Sequence, residues 1–297
     1  MTGRRGTRRG LRSEQAVYST IVDPQTVLAH LADPTWVVID CRNDLFHPES
    51  GAQAYERAHL PGAFHASLEE DLSGVKTGRN GRHPMPDPAA FARFLNEIGV
   101  GEQTQIVAYD AGGDAYAARL WFLAHWIGHA AAAVLDGGFS GWTAAGYATT
   151  SEPPARQPAS EARTVRLRHE STIGVEDVLA GLGSARHLVL DARSPDRFAG
   201  QNETLDPVAG HIPGAVNRFS KENYDERGRM KSPERLRAEF AAAGVTTPEQ
   251  VVHQCGSGVS ACVNLLAMSY AGMAGSRLYP GSWSEWIADP SRPVAGG

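Results

Sequence analysis

The sequence predicts an α/β fold of two tandem domains, each a mostly parallel sheet flanked by helices. Four sequence blocks occur twice, in the same order and roughly 150 residues apart, which indicates tandem domains and not a solenoid. Short apolar runs alternate with helical patterns in both halves, as is typical of parallel sheets. The 297 residues are enough for two cores of ordinary domain size.

The repeated blocks differ at one position that matters for chemistry. In one block, a short apolar run leads into a small, Gly-rich loop and then a helical pattern. The second copy has Cys255 in that loop, and the first copy has Asp110. A duplicated scaffold with one thiol indicates one working site, in the second half, and one degenerate site. The four pairs of blocks are residues 37–42 and 188–193, 58–63 and 210–215, 106–115 and 251–260, and 136–142 and 280–286.

Composition sets the expected boundaries. Residues 1–15 are rich in Arg and Gly, which predicts a disordered basic tail. A catalytically silent domain is expected over 16–150 and a catalytic domain over 166–297. The proline-rich residues 151–165 have the composition of a linker.

Strand and helix patterns alternate along each domain. Asp23-Pro24 predicts a helix start, because Asp can cap a helix and Pro suits its first turn. Ser232-Pro233 predicts another, running to residue 243. The other expected helices cover 88–98, 115–127, 175–182 and 260–271. The expected strands cover 36–39, 106–109, 188–190 and 251–254.

The bulk composition excludes several classes of protein. An apolar content of 42% and a charged content of 21% suit a soluble globular protein. A net charge of −5 argues against a general nucleic-acid or anionic-membrane binder. No apolar run approaches the length of a membrane span. Three cysteines form neither a disulfide framework nor a CxxC metal pair, so we expect a cytoplasmic protein without metal or cofactor.

Cys255 has the surroundings of a nucleophile. It ends a predicted strand just before a helix, where backbone N–H groups and the helix N-terminus favour an anionic sulfur. Gly256 and Gly258 would let the loop curl around the thiol, and Ser257 and Ser260 add hydroxyl donors. Cys41 and Cys262, by contrast, are expected to be small buried apolar residues. Cys262 could instead be a resolving thiol.

Residues 255–261 resemble the active-site loop of the 3-mercaptopyruvate sulfurtransferases. The His-Ile/Leu-Pro-Gly-Ala blocks, the Asp-x-Arg strand ends and residues 281–286 resemble the two-domain rhodanese family, over about residues 17–290. In that family the first domain is catalytically silent, which agrees with Asp110.

The resemblance implies a set of site residues. Ser257 would join a proton relay with His83 and an acid from the first domain. Glu69 is the expected acid, with Glu70 and Asp71 as alternatives. Arg197 is the implied substrate-binding arginine. The other expected substrate contacts are the loop residues Gly256, Gly258, Val259 and Ser260, and Arg193.

One position departs from the family pattern. The family often has a second arginine nine residues after the one that corresponds to Arg197, and this chain has Asp206 near that place. Arg193 and Arg218 are local candidates to compensate. Arg193 is equally expected to tie strand ends together, because the first half repeats it as Arg42. By the same argument, His59 and His211 are expected to be structural.

The expected function is the transfer of a sulfane sulfur from 3-mercaptopyruvate, through a Cys255 persulfide, to cyanide or to a thiol such as thioredoxin or a low-molecular thiol. Thiosulfate is the alternative donor, although its branch of the family has Arg and Lys after the cysteine. A phosphatase on this fold would need an arginine at position 261, which is Ala261. A non-enzymatic binding module would leave Cys255 unexplained.

Overall fold

The computed structural model describes residues 16–113, 115–155, 158–159 and 163–296. The expected basic tail lies outside these residues. Two sheets form the framework, and every pairing between named strands in the described residues is parallel. The predicted fold class is therefore confirmed.

The first sheet has the strand order β1-β5-β4-β2-β3. Its central strand β4 is buried along its whole length, as its apolar sequence requires. The strands are β1 (Ile21–Val22), β2 (Trp36–Asp40), β3 (Phe64–His65), β4 (Gln105–Tyr109) and β5 (Ala132–Leu135).

The helices of the first half begin where capping residues allow. The carboxylate of Asp23 accepts the Thr26 N–H at 2.9 Å, and that of Asp87 accepts the Ala90 N–H at 2.8 Å. In both cases a proline takes the first turn, where it costs no hydrogen bond. The helices are α1 (Pro24–His30), α2 (Glu49–Arg57), α3 (Pro88–Glu97), α4 (Tyr116–Trp126) and α5 (Gly138–Ala144).

The second sheet repeats the core of the first with the order β7-β6-β8-β9. Its strands are β6 (Leu188–Asp191), β7 (Val216–Asn217), β8 (Val251–Gln254) and β9 (Arg277–Leu278). The helices are α6 (Val175–Ala180), α7 (Pro195–Phe198), α8 (Pro233–Ala242), α9 (Ala261–Tyr270) and α10 (Ser282–Trp286). Each helix and strand predicted from the sequence is present within two residues of its expected ends.

The two halves share a continuous apolar core. Helices α4 and α9, which follow the two Gly-rich loops, pack against each other. Buried residues of both helices, such as Leu120 and Leu266, belong to one hydrophobic cluster. Loops of the first half are thereby held beside the loop that follows β8. The division at residues 151–165 stays a prediction.

Two features are absent from the described residues. None of the helices there is both long and apolar enough to cross a bilayer. Within the same residues, no group of three or more His, Cys, Asp or Glu side chains could hold a metal ion.

Candidate active site

Cys255 lies at the carboxyl end of β8 and is 2% exposed. It lines a cavity of about 460 Å³ that residues of both halves enclose. The Gly258 N–H donates to its Sγ at 3.2 Å. Gly258 has a φ of +76°, and a Cβ there would lie 2.3 Å from the Pro280 carbonyl oxygen, so only glycine fits. The loop curls around the sulfur as its sequence predicts.

The same backbone bond supports the loop in each half. The Trp283 N–H donates to the Cys255 carbonyl at 3.0 Å, and the Phe139 N–H donates to the Asp110 carbonyl at 2.8 Å. These donors belong to the last of the four repeated sequence blocks. That block therefore recurs because each Gly-rich loop needs a backbone partner behind it.

Ser282 adds a contact that the first half lacks. Its hydroxyl accepts the Cys255 N–H at 3.1 Å and donates to the Tyr279 carbonyl at 2.9 Å. Its φ is +54°, and no other non-glycine among the described residues has a positive φ. Gly138, at the matching place in the first half, has the same φ. Sequence analysis missed Ser282, and serine in place of a repeated glycine was the available signal.

The loop of the first half has no nucleophile. The Asp110 carboxylate accepts the N–H groups of Gly112 and Ala117, each at 3.1 Å. In this loop, backbone N–H groups therefore bind a carboxylate at the start of α4, where a cysteine would need them to stabilise an anionic sulfur.

The structure brings three predicted relay residues together. The His83 Nδ1 lies 2.8 Å from the Ser257 Oγ, and the His83 Nε2 lies 3.0 Å from the Glu69 Oε1. Of the three adjacent acids, Glu69 is the one that contacts His83. Glu70 is exposed, and the Asp71 carboxylate accepts the N–H of a neighbouring serine.

Burial sets the protonation of this chain of residues. Burial lowers the pKa of His83 to about 4, and the nearby charge of Glu69 only partly opposes this shift. Burial by itself would raise the pKa of Glu69, but hydrogen bonds and charges of Lys76 and His83 bring it below its usual value. At neutral pH a neutral imidazole therefore faces a carboxylate. Nε2 carries the proton toward Glu69, which leaves Nδ1 to accept the Ser257 hydroxyl.

Arg197 reaches the cavity and is oriented by two acids. Its Nη2 lies 2.8 Å from the Glu203 Oε1 and 3.2 Å from the Asp206 Oδ2. The predicted loop contacts Gly256, Val259 and Ser260 line the same cavity, whereas Gly258 reaches it through the N–H bound to the sulfur.

Arg82 was missed by the sequence analysis. It comes from the first half and lines the cavity beside Arg197. A Cβ on Gly256 would lie 2.8 Å from the Arg82 Nη2, so Arg82 covers the residue next to the nucleophile. Its Nη1 forms an ion pair with Asp206. The acid at the family's usual arginine position thus anchors an arginine from the other half. The one signal in the sequence was that Arg82 adjoins His83.

Arg193 lines the cavity, but its guanidinium is engaged by the backbone framework. Its Nη2 lies 2.7 Å from the Asp191 Oδ2 and donates to the Gly210 carbonyl at 2.8 Å. Arg42 makes matching bonds with Asp40 and the Ala58 carbonyl in the first half. These paired contacts tie strand ends together, as the repeat indicates.

Arg218 lies away from the cavity lining. Its Nη1 is 2.5 Å from a Glu222 carboxylate oxygen, and its Nη2 is 2.8 Å from a Glu239 carboxylate oxygen. These acids hold the guanidinium, so it does not replace the missing second arginine. Arg82, from the first half, lines the cavity instead.

The repeated histidines make backbone contacts in both halves. The His59 Nδ1 lies 2.7 Å from the Tyr55 carbonyl oxygen, and the His211 Nδ1 lies 2.8 Å from the Phe198 carbonyl oxygen. Each ring also stacks on the aromatic ring of the same partner. Neither histidine lines the cavity.

The two other cysteines are fully enclosed. Cys41 is 1% exposed and Cys262 is 0% exposed. Burial raises the pKa of both thiols, that of Cys262 to about 12. They are therefore neutral thiols at physiological pH.

Taken together, fold and site define a tandem α/β protein with one thiol, held in the second copy and faced by a histidine from the first. A family model described as the rhodanese-like domain matches residues 23–145 and 174–289. The chain belongs to this family, with two copies of its domain.

Similar proteins span almost the whole chain. A "Probable 3-mercaptopyruvate sulfurtransferase" of Pseudomonas aeruginosa is 43% identical over 282 residues, which cover 93% of this chain and 98% of that protein. A "Putative thiosulfate sulfurtransferase SseB" of Mycobacterium tuberculosis is 36% identical over 265 residues, covering 88% and 90%. The solved structure of "3-mercaptopyruvate sulfurtransferase from Leishmania major" is 30% identical with a TM-score of 0.81, and the match covers 93% of this chain and 75% of that one.

Proposed function

We propose that this protein is a sulfurtransferase that moves a sulfane sulfur from 3-mercaptopyruvate to a thiol or cyanide acceptor through a persulfide on Cys255. One observation carries the proposal. The Cys255 sulfur accepts the Gly258 N–H in a cavity where the Ser257 hydroxyl already contacts His83. The names of the relatives point to the same reaction class.

The first step forms one bond and breaks another. The Cys255 thiolate attacks the donor sulfur, an S–S bond forms, and the C–S bond breaks. The electron pair of the C–S bond passes to the three-carbon fragment, which leaves as the enolate of pyruvate. The Gly258 N–H and the start of α9 favour the negative charge that remains on the persulfide.

A proton must travel from the donor thiol to the carbon of the leaving enolate. The Ser257 hydroxyl and His83 Nδ1 form a hydrogen-bonded path for it, with Glu69 at the other ring nitrogen. Because His83 is neutral at physiological pH, it can accept this proton and then return it. Glu69 would stabilise the imidazolium while it exists.

The carboxylate of the donor needs cations at the cavity wall. Arg197 and Arg82 are the proposed partners, since guanidinium groups bind carboxylates with two parallel hydrogen bonds. Arg193 lines the cavity as well, but its bonds to Asp191 and Gly210 favour a supporting role.

Thiosulfate is the second candidate donor. Arg82, Arg193, Arg197 and the exposed Lys221 all line the cavity, which suits a small dianion. Several relatives are named thiosulfate sulfurtransferases. Against it, Glu203 and Asp206 offset the charge of Arg197, and the loop itself adds no cation after Cys255.

The persulfide sulfur then passes to an acceptor. A low-molecular thiol, a protein thiol such as that of thioredoxin, or cyanide would release it by attack on the outer sulfur. We place this reaction in the cytoplasm, where free cysteines stay reduced.

Mass spectrometry of the intact protein tests the proposal. Incubation with 3-mercaptopyruvate should add about 32 Da, one sulfur atom, to the wild type and to the control Cys262→Ser. Cys255→Ser should gain nothing. A parallel incubation with thiosulfate compares the two donors. A wild type that stays unchanged with both donors, or an adduct that persists in Cys255→Ser, would refute the mechanism.

A further inference from the structure

Arg119 is a buried cation at the boundary between the two halves. It lies on α4 and is 0% exposed. Among the described residues, no carboxylate forms an ion pair with it. A charge removed from water without a counter-ion costs several kcal/mol. Its place in the core therefore needs an explanation.

Its hydrogen bonds join loops of both halves. Nε donates to the Leu72 carbonyl at 3.3 Å, and Nη2 donates to the carbonyls of His83 at 3.2 Å and Pro84 at 3.3 Å. Leu72 lies three residues after the relay acid Glu69, and His83 is the relay histidine. Nη1 donates to the Gly258 carbonyl at 3.2 Å. One guanidinium thus holds the histidine loop against the loop that surrounds Cys255.

The neighbouring thiol does not neutralise this charge. The Cys262 Sγ donates to the same Gly258 carbonyl at 3.3 Å. Burial raises the pKa of Cys262 to about 12 although Arg119 acts in the opposite direction, so the thiol stays protonated. The charges that act on Arg119 are those of Cys262 and Cys255, so with Cys262 neutral the anion that forms on Cys255 is the one that can match it.

The other ionisable groups around Cys255 are less suited to stabilising a negative charge on its sulfur. Arg82, Arg193 and Arg197 are paired with carboxylates, and Lys221 is exposed to solvent. His83 is neutral at physiological pH because burial lowers its pKa to about 4. Arg119 is thus the guanidinium near the site without a carboxylate partner in the described chain.

We propose that Arg119 is a positioning residue that locks the His83 loop onto the Cys255 loop and supplies the buried positive charge that favours the Cys255 anion. The proposal rests on the sulfurtransferase function, because it explains how the thiolate and the persulfide are stabilised. It concerns the sulfur before any donor arrives, so it can be measured without turnover.

The test compares Arg119→Met, Arg119→Lys and a matched control. Arg163→Met is the control, since Arg163 is also a buried arginine but bonds the Gly101 carbonyl and His129, away from both active-site loops. The rate of Cys255 alkylation by iodoacetamide is measured from pH 6 to pH 10 without donor, with the modified peptide identified by mass. We expect Arg119→Met to react at least about tenfold more slowly at pH 7 and to approach the wild-type rate at pH 10. Arg163→Met should follow the wild-type profile.

Arg119→Lys separates charge from positioning. An ammonium keeps the charge but cannot reach all four carbonyls, so its alkylation profile should match the wild type while kcat falls about tenfold or more. A folded Arg119→Met with the wild-type profile would overturn the charge role. Should that variant not fold, a lowered Arg119→Lys rate at pH 7, or a wild-type kcat in Arg119→Lys, would overturn the proposal. If wild type forms no persulfide yet the Arg119→Met profile shifts, the sulfurtransferase function fails and the effect on the thiol stands.

Discussion

The Ser257 Oγ and the His83 Nδ1 lie 2.8 Å apart although 174 positions separate the two residues in the chain. Ser257 stands two residues after the nucleophile in the second half, and His83 belongs to the first. Glu69, also from the first half, contacts the other ring nitrogen. The proposed relay is therefore assembled only when the two halves pack together.

Loss of the relay histidine should reduce the chemical step. We expect His83→Gln to lower kcat with 3-mercaptopyruvate about 10²-fold or more, the usual contribution of a positioned proton-transfer group. Glu69→Gln should have a smaller effect in the same direction, because it removes the charge that stabilises the imidazolium. Pyruvate release, followed in single turnovers, measures the step directly.

The adjacent acid provides the control for this series. Glu70 is exposed, and Glu69 takes the contact with His83. Glu70→Gln should retain wild-type kcat. Equal losses in Glu69→Gln and Glu70→Gln would mean that general acidity of the turn, and not a specific contact, matters.

Acid should destabilise the fold through buried histidines. Burial lowers the pKa of His83 and His129 to about 4 and that of His253 to about 3. In the unfolded chain histidine takes up a proton below about pH 6.5, so between about pH 6.5 and pH 4 the unfolded state binds more protons. The free energy of unfolding should fall in that window by up to about 1.4 kcal/mol per pH unit for each histidine. Urea unfolding at pH 7.5, 6 and 5 measures the slope.

His253 allows this explanation to be checked. Within the described residues, neither ring nitrogen has a hydrogen-bond partner, and the side chain is 0% exposed. His253→Leu should unfold with a shallower pH dependence and be more stable at pH 5, because an apolar group replaces a buried polar one. An unchanged slope would show that other groups control the acid response.

The Asp206 carboxylate should influence the choice of donor. It contacts Arg82 and Arg197 from behind the cavity, with its side chain 2% exposed. Asp206→Asn removes one negative charge there. Since one unit charge at 4 Å is worth about 1 kcal/mol even in water, we expect kcat/KM for dianionic thiosulfate to rise about fivefold relative to monoanionic 3-mercaptopyruvate. Steady-state kinetics with both donors measures this ratio.

Asp177 offers a charge-matched control for that experiment. It is an exposed acid on α6, outside the cavity lining. Asp177→Asn should leave the ratio of the two donors unchanged. A shift of similar size in both variants would attribute the effect to net charge and not to the contacts with Arg82 and Arg197.

Ser282 should show a separation between stability and activity. Ser282→Gly and Ser282→Ala both lose the hydroxyl that accepts the Cys255 N–H. Only glycine relieves the positive φ, which costs other residues about 1–2 kcal/mol. Both variants should therefore lose activity to a similar degree, while Ser282→Gly unfolds at a higher urea concentration than Ser282→Ala. Identical stabilities would mean that this backbone conformation carries no strain.

Elements that bury side chains with a clear period, or that begin with a capping residue, could be predicted from the sequence. Helix α2 (Glu49–Arg57) could not, because its one fully buried residue is Gly51 and it offers no apolar stripe. The Gly-rich loop identified Cys255, whereas His83 and Glu69 depended on resemblance to a family. Arg82 is anchored by Asp206, which lies 124 positions away in the sequence, and no local sequence pattern indicates a contact over that separation. The positive φ of Ser282 could also not be predicted from its own sequence block, because only the comparison with Gly138 in the first half indicates it.

Asp110 stands in the first half at the position that the nucleophile Cys255 takes in the second. Its carboxylate binds backbone N–H groups of its own loop, while His83 of the same half contacts Ser257 of the other. The two halves therefore have different roles: the second holds the thiol, and the first supplies the histidine and the acid. A change in how the two halves pack would therefore move His83 relative to Ser257 and alter the surroundings of the sulfur without touching the Cys255 loop.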